Sequence, residues 1–292
     1  MGRFSVVIEI QSKVFFNTSA VAQHPFTEAF VEPGYTLCGG GAWLDYEEPG
    51  NLLYETYPIQ IYNGSWTGWR VHGKDAWWAS NSTITAYAIG IKVTRDGQPV
   101  NLEQTVFKSA GLNAELPAMS QQDGWIGTGG GTMCEQNIFE NLFISETSPP
   151  RTCENDAGDM QLTSWFSAKQ YCSSPTSNGK PTGGGEITTY LIAIRATGTK
   201  FRTKIYYQNS EFAAHPATEV SANGEVVVSG GAINNFRSPG SGNTSVNMLT
   251  GSYPAFEDPT KITGWKAVGK DQHYPSPSVI RACVVTLSAE DA

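Results

Sequence analysis

One unit is written three times along this chain, and a fixed internal period restricts the architecture more tightly than any single residue does. Four landmarks recur in order. The first is His24-Pro25-Phe26-Thr27-Glu28, echoed by Leu116-Pro117-Ala118-Met119 and by His215-Pro216-Ala217-Thr218-Glu219. The second is a glycine cluster: Gly39-Gly40-Gly41-Ala42, then Gly129-Gly130-Gly131-Thr132, then Ser229-Gly230-Gly231-Ala232. Third come Asn51-Leu52-Leu53, Asn141-Leu142-Phe143 and Asn247-Met248-Leu249. The fourth is Gly68-Trp69-Arg70-Val71-His72-Gly73-Lys74-Asp75, matched by Ser164-Trp165-Phe166-Ser167-Ala168-Lys169-Gln170 and by Gly264-Trp265-Lys266-Ala267-Val268-Gly269-Lys270-Asp271. Its tryptophans stand 96 and then 100 residues apart.

Each unit closes on a β-branched, apolar run: Ile84 to Ile91, Ile187 to Ile194, and Val279 to Val285. The run Phe4 to Ile10 reads as a fourth copy of that closing strand, so that three units share four boundary strands. A second β run follows in each case: Val14-Phe15-Phe16, Val106-Phe107-Lys108 and Ile205-Tyr206-Tyr207. With 31 Gly and 16 Pro among 292 residues, long helices are disfavoured. The fold expected is therefore all-β, with three tandem repeats in a pseudo-threefold arrangement, either β-prism-like or three small sandwiches about an axis. A single body covers 1–292. Its units span approximately 12–93, 104–196 and 201–288, and residues 3–11 form the extra closing strand.

Charge excludes several functions. A net charge of −8 speaks against a protein that tracks nucleic-acid phosphates or anionic lipid. No apolar stretch is long enough for a transmembrane helix. The N-terminus reads as a strand and not as a signal peptide, so the expectation is a soluble protein, cytoplasmic or released by a non-classical route. Cys38, Cys134, Cys153, Cys172 and Cys283 include no C-x-x-C pair, which argues against structural zinc. Cys153 and Cys172 share one loop-rich insertion and would pair in an oxidising compartment; buried free thiols are the default. The glycine clusters are followed by β-type residues, with no helix start and no Lys-Ser/Thr. They read as sites of close backbone approach and not as phosphate cradles.

Recognition chemistry concentrates in the fourth landmark and the loop after it. Lys74 and Asp75 lead into Trp77 and Trp78; Lys270 and Asp271 lead into His273 and Tyr274; the second unit offers Lys169 and Tyr171 in a departed pattern. Neighbouring aromatics on an extended chain point to opposite faces, so at least one of Trp77 and Trp78 meets solvent. A ring beside Asp, Asn and Lys suits a sugar, whose C–H face stacks on the ring while polar groups take its hydroxyls. Trp69, Trp165 and Trp265 read instead as the core anchor of each unit. Asp45-Tyr46-Glu47-Glu48 reads as a solvated acidic loop, with a lone Ca²⁺ site as the alternative and no other cofactor implied.

Catalytic constellations are missing: no G-x-S-x-G, no H-E-x-x-H and no repeated carboxylate pair. The leading expectation is a multivalent, lectin-like carbohydrate-binding protein whose partners are glycans or a glycosylated cell surface. An insecticidal or cytolytic defence toxin that binds such glycans is the alternative, and a glycan-active enzyme the third. The succession Gly-Gly-Gly-Ala, Asn-Leu, Gly-Trp-x-x-x-Gly-Lys-Asp and Ile-Thr-Ala-Tyr-Ala-Ile-Gly-Ile resembles a repeat of uncharacterised, mostly bacterial, extracellular proteins. The resemblance covers the first unit well, the third moderately and the second poorly, and it implies no activity.

Overall fold

The structure, a computed structural model, describes residues 6–61, 64–76, 78–112, 115–119, 124–135, 142–150, 161–171, 185–234, 247–271 and 277–292. These are all-β, without a helix. The first unit comprises β1 (Ile8–Thr18), β2 (Phe26–Phe30), β3 (Thr36–Tyr46), β4 (Leu52–Gln60), β5 (Trp66–Lys74) and β6 (Ser82–Arg95), followed by the short β7 (Gln98–Pro99). The second has β8 (Glu103–Gly111), β9 (Glu115–Met119), β10 (Ile126–Cys134), β11 (Leu142–Ser148), β12 (Ser164–Tyr171) and β13 (Ile187–Arg195). The third has β14 (Thr199–Asn209), β15 (Ala217–Ser221), β16 (Val227–Ile233), β17 (Met248–Asp258), β18 (Lys261–Lys270) and β19 (Arg281–Asp291).

These strands make three antiparallel sheets: A in the order β1-β6-β3-β17-β18-β15, B as β2-β5-β4-β10-β13-β8, and C as β14-β19-β16-β11-β12-β9. Every sheet takes the first, third and sixth strands of one unit and the second, fourth and fifth of the unit before it, with the third unit standing before the first. The body is thus a pseudo-threefold ring of sheets. Each unit is divided between two sheets, and its first, third and sixth strands pack face to face on its second, fourth and fifth, with Gly40 against Trp69, Gly130 against Trp165 and Gly230 against Trp265, so the three-sheet and three-sandwich readings describe one arrangement. Closure also differs from the expectation of a fourth closing strand. Ile8 to Gln11 belong to the same strand as Val14 to Phe16, pairing Ile8 with Arg95 and Phe15 with Ala88, so each unit has its own pair of boundary strands. Ring closure comes from β3 against β17, where Ala42 faces Ser252.

The glycine clusters explain how three sheets fit round one axis. A Cβ placed on Gly40, Gly130 or Gly230 would lie 2.3 Å from the indole of Trp69, Trp165 or Trp265. All three tryptophans are completely buried, and their indole N–H groups donate to Thr56, Thr147 and Ser252 at 2.9 to 3.0 Å. Truncating a buried tryptophan of this kind costs about 3–5 kcal/mol. At the axis itself Gly39 and Gly129 both abut Ser229. Beside each cluster a β-bulge, between Leu37 and Gly39, Gly127 and Gly129, and Val227 and Ser229, bends the strand.

Facing residues can be followed across each sheet. In sheet B one row reads Glu28, Arg70, Tyr57, Gly131, Tyr190, Lys108. In sheet A the matching row is Glu219, Lys266, Tyr253, Gly41, Tyr87, Phe16. Sheet C has Pro117, Phe166, Ser148, Gly231, Cys283, Tyr207. Adjacent strands lie about 4.8 Å apart, so a flat sheet would separate β5 from β8 by about 19 Å. Instead the Lys108 ammonium sits 5.0 Å from the Trp66 ring centroid. The sheet is therefore curled, with the face that carries the row on its concave side. The opposite, convex faces carry Trp69, Trp165 and Trp265 and pack together round the axis.

Candidate functional site

The first and fourth landmarks, separated by about fifty residues in sequence, meet at one end of the body. In the first unit His24 Nε2 lies 3.1 Å from Asp75 Oδ1, and the Gln23 amide donates to Asp75 Oδ2 at 2.6 Å. In the third unit His215 Nε2 lies 3.2 Å from Asp271 Oδ1 and 3.8 Å from Glu48. Antiparallel pairing of β2 with β5 and of β15 with β18 makes both meetings necessary, because each strand pair begins where the other strand ends. Each His-Pro segment thus presents an imidazole to the aspartate of a Gly-Lys-Asp motif.

The asparagine landmark fastens the same end. Asn51 donates to the Gln23 carbonyl at 2.9 Å and to Ser82 at 2.8 Å; Asn247 donates to the Ala214 carbonyl at 2.6 Å. In the third unit Asn234 then donates to Asn247 Oδ1 at 2.7 Å. Leu44 stands at the first unit's counterpart of Asn234, and the fully buried Asn51 Oδ1 has no hydrogen-bond partner among the described residues.

Two lysines of the motif, Lys270 and Lys74, reach across a joint to a neighbouring unit. Lys270, expected at a binding surface, is instead fully buried: it reaches from β18 to the first unit, donating to Glu48 Oε2 at 2.8 Å and to the Pro49 carbonyl, with its ammonium over the Tyr46 ring. Burial lowers its pKa, an effect that Glu48 opposes. Lys169 is also buried and donates to the Gly185 carbonyl, so neither ammonium is open to a ligand. Lys74 is half-buried with its ammonium 5.8 Å from the Phe143 ring centroid of the second unit, and burial lowers its pKa while Asp75 opposes.

Of the expected aromatics, Trp78 is 61 % exposed beside this end. Trp77, His273 and Tyr274 lie outside the described residues, as do Cys153, Cys172 and the side chain of Tyr171. Among the described residues no group of three His, Cys, Asp or Glu is placed to hold a metal ion, the Asp45 to Glu48 loop included. Cys38, Cys134 and Cys283 are buried thiols; burial pushes Cys38 up to about 12 against the opposing hydrogen bond of Thr128, and raises the other two further. The equivalence of Leu116-Pro117 with His24-Pro25 needs correction. Pairing of Pro117 with Phe166 puts it opposite the same strand position as Glu28, three residues on, so the counterpart of His24 is Asn113, outside the described residues.

Position in the sheets also exposes a feature that adjacency in sequence hides. The concave rows of sheets A and B each hold a stacked tyrosine pair: Tyr57 with Tyr190 at 5.1 Å and 20°, and Tyr253 with Tyr87 at 5.8 Å and 17°. No helix of the described residues is long and apolar enough to cross a membrane. Compared with known protein families the chain matches none, and it matches no curated protein.

Proposed function

We propose that the protein is a multivalent, lectin-like carbohydrate-binding protein, with equivalent sites at the loop end of the first and third units. The observation that carries this reading is the repeated His–Asp pair, His24 with Asp75 and His215 with Asp271, at the end where Trp78 stands exposed. A fixed carboxylate accepts from sugar hydroxyls, an imidazole held against it completes a donor–acceptor set, and an exposed indole covers the C–H face of a pyranose. Two or more weak sites on one rigid body give avidity for arrayed glycans without tight individual binding.

The test is a glycan array read with the wild-type chain, a Trp77→Ala/Trp78→Ala double variant and an Asp75→Asn/Asp271→Asn double variant. Binding to a restricted glycan set, lost in both doubles, is expected. Binding to no glycan, or equal binding by all three proteins, overturns the reading. Dye release from liposomes in the absence of any glycan would point to the toxin class instead, and turnover of an arrayed glycan to an enzyme.

A further inference from the structure

At the end of the body away from Asp75 and Asp271, each unit meets the next through equivalent positions, and one of the three joints stands open. The register of the sheets makes Ser12, Gln104 and Thr203 counterparts, and likewise Leu37, Gly127 and Val227. Between the first and second units Gln104 fills the joint, donating its side-chain amide to the Leu37 carbonyl at 2.6 Å. Between the second and third the backbone of Leu162 fills it. Its N–H donates to Thr203 Oγ1 at 2.8 Å, its carbonyl accepts from the Gly127 N–H at 2.7 Å, and its side chain is completely buried. Between the third and first units the matching residues are Ser12, Val227 and Ile262, which stands three before Trp265 as Leu162 stands three before Trp165. Instead of bonding to one another they line a cavity of about 500 Å³.

Residue differences keep this joint open. A Cβ on Gly127 would stand 2.4 Å from the Leu162 carbonyl oxygen, so glycine is what admits that backbone; Val227 brings a side chain to the same place and holds Ile262 off. Ser12 is too short to reach across as Gln104 does. The rim differs as well. In the first and second units a ring carries a cation, Tyr35 with Lys92 at 4.1 Å and Trp125 with Arg195 at 4.6 Å. The third unit has Glu225 and Ser288 at those positions, and both line a second cavity of about 330 Å³ that shares Ile10 and the turn from Gly224 to Val226 with the first. Glu225 accepts from Lys204 at 3.1 Å, Tyr206 at 2.9 Å and Thr286 at 2.6 Å, so its charge is balanced at the wall of the cleft.

Strand β1 runs along this cleft with its outer edge free. The Val14 N–H turns away from β6 and donates to the Pro259 carbonyl at 2.7 Å, so the backbone groups of Ser12 and Ile10, two and four residues earlier, turn to the same side, where the cavity lies. Ile10, Val226 and Ile262 give its walls apolar surface, and Ser12 and Thr260 add hydroxyls. We propose that the cleft binds an extended peptide segment of a partner protein, laid along the β1 edge with one leucine-sized side chain buried against Ile10, Val226 and Ile262. The occupants of the other two joints argue for a peptide: a carboxamide in one, a main-chain amide with an aliphatic side chain in the other. An added strand takes its affinity from main-chain hydrogen bonds and its selectivity from pockets for alternate side chains. The cleft shares no residue with the proposed glycan sites at the loop end.

Nuclear magnetic resonance of the isotopically labelled full chain, titrated with acetyl-Gln-Leu-Thr-Ser-amide, tests this. The peptide copies Gln161 to Ser164, the segment that closes the joint of the second and third units. Saturable shifts at the amides of Ile10, Ser12 and Val227 are expected, with none when the leucine of the peptide is replaced by aspartate. Ser12→Gln, which installs the residue that fills the joint of the first and second units, should abolish the shifts with the melting temperature unchanged or raised. Ser12→Ala, which keeps the cavity and removes one hydroxyl, should raise the dissociation constant about threefold. Shifts that are absent or confined to other residues, or binding by Ser12→Gln equal to wild type, would overturn the proposal. So would a response of the same amides to N-acetylglucosamine and not to the peptide, or to self-association of the chain without it.

Discussion

Two of the three junctions between units are spanned by a tyrosine pair over a glycine, and the third is not. Where β4 meets β10 and where β17 meets β3, rings from two units stack across the joint; where β11 meets β16, Ser148 is completely buried and donates to Glu146 at 2.7 Å, facing the buried Cys283 across Gly231. The glycine recurs because backbone must approach backbone at every joint. The rings do not recur, so closing the ring of sheets does not require them, and comparing the joints separates the backbone approach that every joint needs from the side-chain packing that differs between them.

The sharpest way to break that comparison is at the glycine. Gly131→Ala would put a Cβ 2.5 Å from the Thr56 oxygen and 2.7 Å from Tyr57 Cα, backbone atoms that cannot yield without opening the joint. A loss of about 3 kcal/mol or more is expected, equally for Gly41→Ala and Gly231→Ala, read from urea midpoints. Tolerance of Gly231→Ala alone would mean that the third joint is built differently. Tyr57→Ala should cost about 2 kcal/mol through lost ring packing, while Ser148→Ala should stay within about 1 kcal/mol; equal losses would erase the distinction between the joints.

Unit can be set against unit at the loop end as well. Asn234→Leu reproduces in the third unit the situation of Leu44 in the first, leaving Asn247 Oδ1 without its 2.7 Å donor. Thermal melting should report a loss of about 1–3 kcal/mol. The smallest effect concerns Glu225, which stands where the other units have Tyr35 and Trp125. Burial works to raise its pKa, but hydrogen bonds from Thr286, Lys204 and Tyr206 outweigh that and hold the carboxylate below its ordinary 4.5. Its contribution is present above pH 4.5 and fades as the pH falls through the lowered value, so Glu225→Gln should flatten the acid limb of the melting curve. The effect should be under about 1 kcal/mol, because solvent screens a partly exposed group.

Local pattern revealed much of this molecule. The β-branched closing runs, the glycine clusters, and the role of Trp69, Trp165 and Trp265 as anchors follow from residue types that recur at a fixed period. What the pattern lacked was partnership. A strand's alternation says that it has two faces, not which unit supplies the neighbour, so the exchange of strands between units was invisible, and Phe4 to Ile10 resembled a closing strand until Ile8 paired with Arg95. Lys270 looked like a surface cation because its carboxylate partner, Glu48, lies at the far end of the sequence. The His24 and Asp75 pairing, and the row joining Tyr57 to Tyr190, depend equally on antiparallel register between distant segments. Nothing in the residues beside them signals it.

Exchange of strands also sets a schedule for the growing chain. β3 emerges from the ribosome early, but its outer edge is covered only when β17 arrives, with Ala42 waiting for Ser252. Throughout that interval the nascent protein displays a bare row of N–H and C=O groups, the surface that invites pairing with a stranger. A third unit from another molecule offers the identical edge, and a chain that accepts it passes its own third unit onward, so that the same interactions that close one ring would link many rings into a line.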